Sequence, residues 1–129
     1  MAAELRVPNE YKNLIYARSR LVHAGASVGV DVIDVPYLDL EDMDGMKKEA
    51  ELVRDLGFTG KGSIHPKQIN MLNEIFTPSK EEIIKAKKIV DQFNESDTGL
   101  VVIDGKLIEK PVLREMQRKI LIADKINQS

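Results

Sequence analysis

The sequence predicts an α/β fold built around a βαβ unit. Three observations carry that reading. Val30 to Val35, VDVIDV, is a short β-branched run closed by Pro36, the pattern of a buried strand. Gly45 to Leu56 has the composition of a helix and is bounded by an acidic run before it and Gly57 after it. Thr59 to Ile64 is a second short strand with two glycines in it. In the order strand, helix, strand, the two strands are parallel and the crossover is right-handed.

The other elements follow along the chain. The first ten residues form an irregular entry containing Pro8. From Asn13 to Val28, Leu14, Ile15, Leu21 and Val22 fall at helical spacing with alanines between them, and Gly29 is the stop. The acidic run Asp39-Leu40-Glu41-Asp42-Met43-Asp44 places carboxylates at the positive end of the next helix, with Asp42 or Asp44 as its cap. Gly57 ends that helix. Pro66 suits the first turn of a short helix running to Ile75. Ser79 and Glu82 have capping-box spacing, and Ile83, Ala86, Ile89, Val90 and Phe93 line one face of a helix to Asn94. After a polar linker from Glu95 to Gly99, Leu100 to Ile108 reads as a hairpin turning at Asp104-Gly105. A last helix from Pro111 to Ile126 carries Val112, Leu113, Met116, Ile120 and Leu121 at helical spacing.

Composition excludes several functions. A net charge of -2 leaves no basic face for nucleic acid, and 5% aromatic residues with no tryptophan make no base-stacking platform. The absence of cysteine removes disulfides, thiolate metal sites and a cysteine nucleophile, and fits a reducing cytoplasm. No apolar run reaches membrane-spanning length, and Met1 to Arg6 lacks the core of a secretion signal. At 129 residues the chain has the length of one domain.

Candidate chemistry concentrates in Gly57 to Ile69, GFTGKGSIHPKQI. His65 follows a strand and precedes a helix, where side chains of α/β folds face ligands; the alternative is a histidine that bonds a backbone group. Lys61 either meets a phosphate as a point charge or faces solvent. Gly57, Gly60 and Gly62 have neither P-loop nor dinucleotide spacing and are read as sites of close backbone approach. The acidic run fails as an EF-hand, because Gly45 at loop position six puts Leu40 at position one. It reads as a solvated helix start, or as the source of one acid at a site edge. His23 has no second ligand at a neighbouring spacing and reads as structural or exposed. No serine–histidine–acid set and no His-x-x-x-His pair can be placed. From the residues alone the result is a soluble α/β unit with one loop that can face a ligand.

GFTGKGSIHPKQI, FTPSKEEIIKAKKIV and VVIDGKLIEKPVL, with the upstream segment from Tyr16 to Phe58, resemble the C-terminal part of citrate lyase β-subunit-like proteins. These belong to the HpcH/HpaI aldolase superfamily and are related to malyl-CoA lyases. The resemblance implies a partial TIM barrel, with the last two βα units in residues 1–95 and a C-terminal hairpin and helix lid in 96–129. It implies magnesium-dependent carbon–carbon bond cleavage or formation in hydroxyacyl thioesters, usually coenzyme A esters. Asp34, Tyr37, Lys61, Ile64, His65 and Pro66 then belong to the cofactor pocket at the barrel mouth. Glu109, after Leu107-Ile108, stands where the family has a catalytic aspartate; its extra methylene displaces the carboxylate by roughly 1 Å, enough to matter in catalysis.

The same resemblance places the family's metal ligands upstream of Met1. The chain is therefore expected to be a fragment that neither holds magnesium nor catalyses alone. Two strands leave open edges, so the isolated chain is expected to be marginal or to associate. The expected partners are further copies of itself or a separate N-terminal lyase chain, in the cytoplasm, with no nucleic acid and no membrane. An inert relic, a non-catalytic binding module and a small α/β adaptor are the competing readings.

Overall fold

The computed structural model of the protein describes residues 2–96, 101–103 and 105–127. In order these form α1 (Ala2–Leu5), α2 (Tyr11–Val28), β1 (Ile33–Asp34), α3 (Met43–Leu56), β2 (Gly60–Lys61), a 3-10 turn (Pro66–Gln68), α4 (Ile69–Phe76), α5 (Lys80–Asn94), β3 (Val101–Ile103), β4 (Lys106–Ile108) and α6 (Lys110–Asn127). The fold is mixed α/β, rich in helix and sparse in strand. The chain divides into two units, Met1–Phe76 and Thr77–Ser129, so α5 groups with the hairpin rather than with the βα segments before it. The division falls earlier than the expected boundary after residue 95.

In the first unit the βαβ arrangement is present. β1 and β2 are parallel, with Ile33 opposite Gly60 and Asp34 opposite Lys61. Helices α2 and α3 both end at left-handed glycines, Gly29 at φ 71° and Gly57 at φ 111°, where a side chain is disfavoured. The strands expected over 30–35 and 59–64 shorten to two residues each. Hydrogen bonding reaches one step further at each end, from the Thr59 amide to the Val32 carbonyl (2.9 Å) and from the Gly62 amide to the Asp34 carbonyl (2.9 Å). Pro36 has no N–H to continue the ladder. The single helix expected from Pro66 to Ile75 is a 3-10 turn followed by α4.

The first unit's core joins Met46 and Ala50 of α3 to Leu72 and Ile75 of α4, with Tyr37, Met43, Met71 and Phe76 packed against them. Successive strand residues point to opposite faces. Asp34 and Lys61 are buried, whereas Ile33 is 67% exposed and Val35, on the same side as Ile33, is also exposed. The apolar run that reads as a strand covered on both faces is thus bare on one of them.

In the second unit the capping box of α5 is complete: the Glu82 amide donates to Ser79 Oγ (3.1 Å) and the Ser79 amide to Glu82 Oε2 (2.9 Å). β3 and β4 are antiparallel with Ile103 opposite Lys106, which leaves a two-residue loop. Gly105 has φ 74° there, as an Asp-Gly turn requires; Asp104 and Leu100 lie outside the described residues. Ile103 and Ile108 bury against Ile89, with Phe93, Val112 and Met116 around them. Leu121, expected on the apolar stripe of α6, is exposed, and Ala123 is the buried residue of that turn. No helix among the described residues is long and apolar enough to cross a membrane.

Removing the Ser79 hydroxyl deletes one side of the capping box. Ser79→Ala should cost about 1 kcal/mol in urea unfolding, while Ser79→Asn, which restores an acceptor, should lie within a few tenths of wild type.

Candidate functional site

The chain leaving β1 runs through Val35-Pro36 to Tyr37, and the chain leaving β2 through Gly62-Ser63 to Ile64-His65-Pro66. These two segments form a rim at the carboxyl ends of the strands. Gln68 is fully buried between them. Its Nε2 donates to the Tyr37 carbonyl (3.0 Å), and its Oε1 accepts from the Ile64 amide (3.0 Å) and the Ser63 hydroxyl (3.2 Å).

His65 has φ -149° and ψ 139°, the extended backbone expected before proline. Its Nδ1 accepts from the Lys67 amide (3.2 Å), capping the 3-10 turn, and Ser63 Oγ donates to its carbonyl (2.9 Å). With Nδ1 an acceptor, the neutral ring carries its proton on Nε2. Ile64, His65 and Pro66 are exposed. Of the two sequence alternatives for His65, the bond to a backbone group is present, and the side chain is exposed at the rim.

Asp34 and Lys61 take a different place from the pocket wall expected of them. Each is buried inside the first unit in a cluster with Arg18 and Glu49. Arg18 donates from Nε to Asp34 Oδ1 (3.0 Å) and from Nη2 to Asp34 Oδ2 (2.9 Å). Lys61 Nζ donates to Asp34 Oδ2 (2.6 Å) and Glu49 Oε1 (2.7 Å), and Arg18 Nη2 lies 3.3 Å from Glu49 Oε1. The Lys61 side chain is 0% exposed, so it neither faces solvent nor stands free to meet a phosphate. Arg18 Nη1 is buried without a hydrogen-bond acceptor; the guanidinium carbon sits 5.5 Å from the centre of the Tyr11 ring, within cation–π range.

Arg18 and Glu49 did not stand out in the sequence. The signal was present for Arg18: it lies four residues after Leu14 and four before Val22, a charge inside the apolar stripe of α2. Glu49 sits three residues after buried Met46 in α3, on the edge of that helix's inner face.

Tyr37 is fixed at its hydroxyl as well as its carbonyl. The phenol donates to Asp42 Oδ2 (2.8 Å), while Asp42 Oδ1 accepts from the Gly45 amide (2.8 Å) and caps α3. A side chain at Gly45 would collide with the Asp42 carboxylate and the Tyr37 hydroxyl. The hydrogen bond to Asp42, with burial and the nearby negative charges, pushes the Tyr37 phenol up to about 12. The Gly45 amide, then the Tyr37 hydroxyl, hold the Asp42 carboxyl below its ordinary value. Asp39 Oδ1 accepts from the Glu41 (2.9 Å) and Asp42 (3.3 Å) amides, so the acidic run builds the turn into α3.

Glu109 lies in the second unit between β4 and α6; it is exposed, and its carbonyl accepts from the Leu113 amide (3.1 Å). Among the described residues no three His, Asp or Glu side chains converge as metal ligands. The two acids closest to such a role in the first unit, Asp34 and Glu49, are each neutralised by Arg18 and Lys61. With both carboxylates ion-paired, this pair of acids does not fit a magnesium ion.

Parallel strands with exposed loops at their carboxyl ends define an α/β unit of the kind that holds ligands at that edge. The chain belongs to the HpcH/HpaI aldolase/citrate lyase family, whose model matches residues 2–66. It is 30% identical over 116 residues to the citrate lyase subunit beta of Leuconostoc mesenteroides subsp. cremoris, covering 88% of this chain and 38% of that protein. It is 32% identical over 120 residues to the mitochondrial citramalyl-CoA lyase of Rattus norvegicus, covering 91% of this chain and 36% of that one. The chain thus spans under two-fifths of the length of these relatives. The crystal structure of protein CitE from Mycobacterium tuberculosis in complex with magnesium, acetoacetate and coenzyme A superposes with a TM-score of 0.77 at 23% identity, over 96% of this chain and 49% of that one. That likeness shows a shared fold.

Two measurements check the site. Lys61→Met leaves Asp34 and Glu49 with one cation and should cost about 3–5 kcal/mol in urea unfolding, a large share of a domain's total of about 5–15 kcal/mol. A loss below about 1 kcal/mol would show that the cluster is not integral to the fold. Second, the tyrosinate absorbance lost in Tyr37→Phe should have its midpoint near 12 in the parent protein. Because the folded value is raised, the associated stability is complete below the ordinary tyrosine pKa of about 10 and is lost as pH rises through about 12. Asp42→Asn keeps a cap but removes the charge, and should bring the midpoint back toward about 10.

Proposed function

We propose that this chain supplies the rim and the covering segment of a carbon–carbon lyase site for hydroxyacyl thioesters, and is not a complete lyase by itself. Family membership and the citrate lyase and citramalyl-CoA lyase relatives support the reaction class. The coenzyme A and magnesium named for the Mycobacterium tuberculosis protein support the ligand class. The observation that carries the reading is the rim itself: Tyr37, Ile64, His65 and Pro66 stand at the carboxyl ends of parallel strands, and the two segments that bear them are joined by Gln68.

In this reading β1 and β2 are the last two strands of a TIM barrel, and β3, β4 and α6 form the lid segment that brings Glu109 to an assembled site. The bare face of β1, with Ile33 and the following Val35 exposed, is the side that further barrel strands cover. Those strands come from additional lyase polypeptide or from an assembly that includes further copies of this chain, in the cytoplasm. His65 offers an Nε2–H donor to a thioester carbonyl or phosphate oxygen, and Ile64 and Leu38 supply exposed apolar contact for the pantetheine arm. Magnesium chemistry requires ligands other than the paired acids of the first unit.

Coenzyme A at millimolar concentration should raise the melting temperature of the purified chain by a few degrees, the response expected when a ligand in excess of its Kd binds the folded state. Magnesium alone should not. His65→Ala should reduce the coenzyme A shift. No shift with coenzyme A or an acyl thioester, in protein shown to be folded, would remove the rim from the binding site.

A further inference from the structure

Gln68 is fully buried, and its side-chain amide touches both segments of the rim. We infer that Gln68 is a positioning residue: its amide sets the spacing between Tyr37, leaving β1, and Ser63-Ile64, leaving β2. This rests in part on the reading that the rim faces a thioester.

The geometry is directional. The amide has one acceptor oxygen and one donor nitrogen. The oxygen is spent on the β2 side, where it receives the Ile64 amide and the Ser63 hydroxyl; the nitrogen is spent on the β1 side, on the Tyr37 carbonyl. A side chain of the same shape without this polarity satisfies at most one side. Beyond Gly62 the two chains no longer pair: the last inter-strand bond runs from the Gly62 amide to the Asp34 carbonyl, and Pro36 donates nothing. Gln68 therefore continues the lateral connection where the ladder stops. The same segment is tied to His65 through its backbone: the Gln68 backbone N–H donates to the His65 carbonyl (3.0 Å), and the single Ser63 hydroxyl proton is shared between the His65 carbonyl (2.9 Å) and Gln68 Oε1 (3.2 Å). Tyr37 in turn is held at its hydroxyl by Asp42, so the β1 side of the clamp is anchored to the start of α3.

The test uses the full chain and three readouts: hydrogen exchange at the Ile64 amide, coenzyme A affinity, and exchange in α3 as a control for global stability. Gln68→Met should speed Ile64 exchange about tenfold relative to α3 and weaken coenzyme A about tenfold, the scale of a lost buried hydrogen bond. Gln68→Glu keeps the acceptor but sets a carboxylate oxygen against the Tyr37 carbonyl. It should retain Ile64 protection yet lose coenzyme A affinity at neutral pH, and recover affinity relative to wild type as acid returns a donor proton. Unchanged Ile64 exchange in a folded Gln68→Met protein overturns the clamp. Faster exchange with unchanged coenzyme A affinity overturns its role in positioning ligand contacts. If wild type binds no coenzyme A, the thioester reading fails, and the exchange results still decide whether Gln68 holds the rim together.

Discussion

The first unit depends on four charges that satisfy one another, three of them buried and the fourth, Glu49, partly buried. Arg18 from α2, Asp34 from β1, Glu49 from α3 and Lys61 from β2 supply one residue each from four elements. Two cations meet two anions, so the set is neutral. Burying any one of them alone would cost several kcal/mol; together, with two contacts to Asp34 Oδ2 and two to Glu49 Oε1, the desolvation is offset. The cluster also specifies geometry. Asp34 and Lys61 are directly opposed across the parallel pair, so a one-residue slip would turn one of them to the bare face and strand its partner. The register that the cluster selects is the one that sends Tyr37 and Ile64 out at the same edge.

That arrangement separates two groups that the sequence presents together. In the run from Gly60 to Gln68, Lys61 turns inward to the charge cluster, Gln68 turns inward to the rim's backbone, and Ile64, His65 and Pro66 remain outside. The family resemblance rests heavily on this run, and much of it is architecture. The residues that remain outside are few, and they acquire a defined geometry only because the inward ones are fixed. The same division bears on metal chemistry. The charges of Asp34 and Glu49 are already balanced from within the chain.

Local signals were legible where one residue determines one feature. Gly29, Gly57, Asp42, Ser79 with Glu82, and Gly105 all act where their chemistry says they should. The parallel βαβ order followed from the spacing of β-branched runs, and the rim followed from that order. What escaped was long-range. A buried lysine and an exposed one look alike in a sequence, because the difference is made by Asp34 and Glu49, 27 and 12 residues away. Arg18 was masked by its helical propensity, which suits a solvent-facing position as well as a buried one. The strands were read too long because β-branched composition marks where a strand can form, while the ladder ends after the Gly62–Asp34 bond, at Pro36, which has no N–H. Leu121 shows the same limit in the second unit: helical spacing marks a stripe, while packing decides how much of it is covered.

The most direct test of the account is turnover by the purified chain alone on a hydroxyacyl-coenzyme A thioester, assayed with magnesium and again with a chelator. The account predicts no carbon–carbon cleavage in either condition, because the carboxylates within the first unit's charge cluster are neutralised by Arg18 and Lys61 and no three acid or histidine side chains converge on a metal among the described residues. Cleavage by this chain alone that disappears on chelation would contradict it.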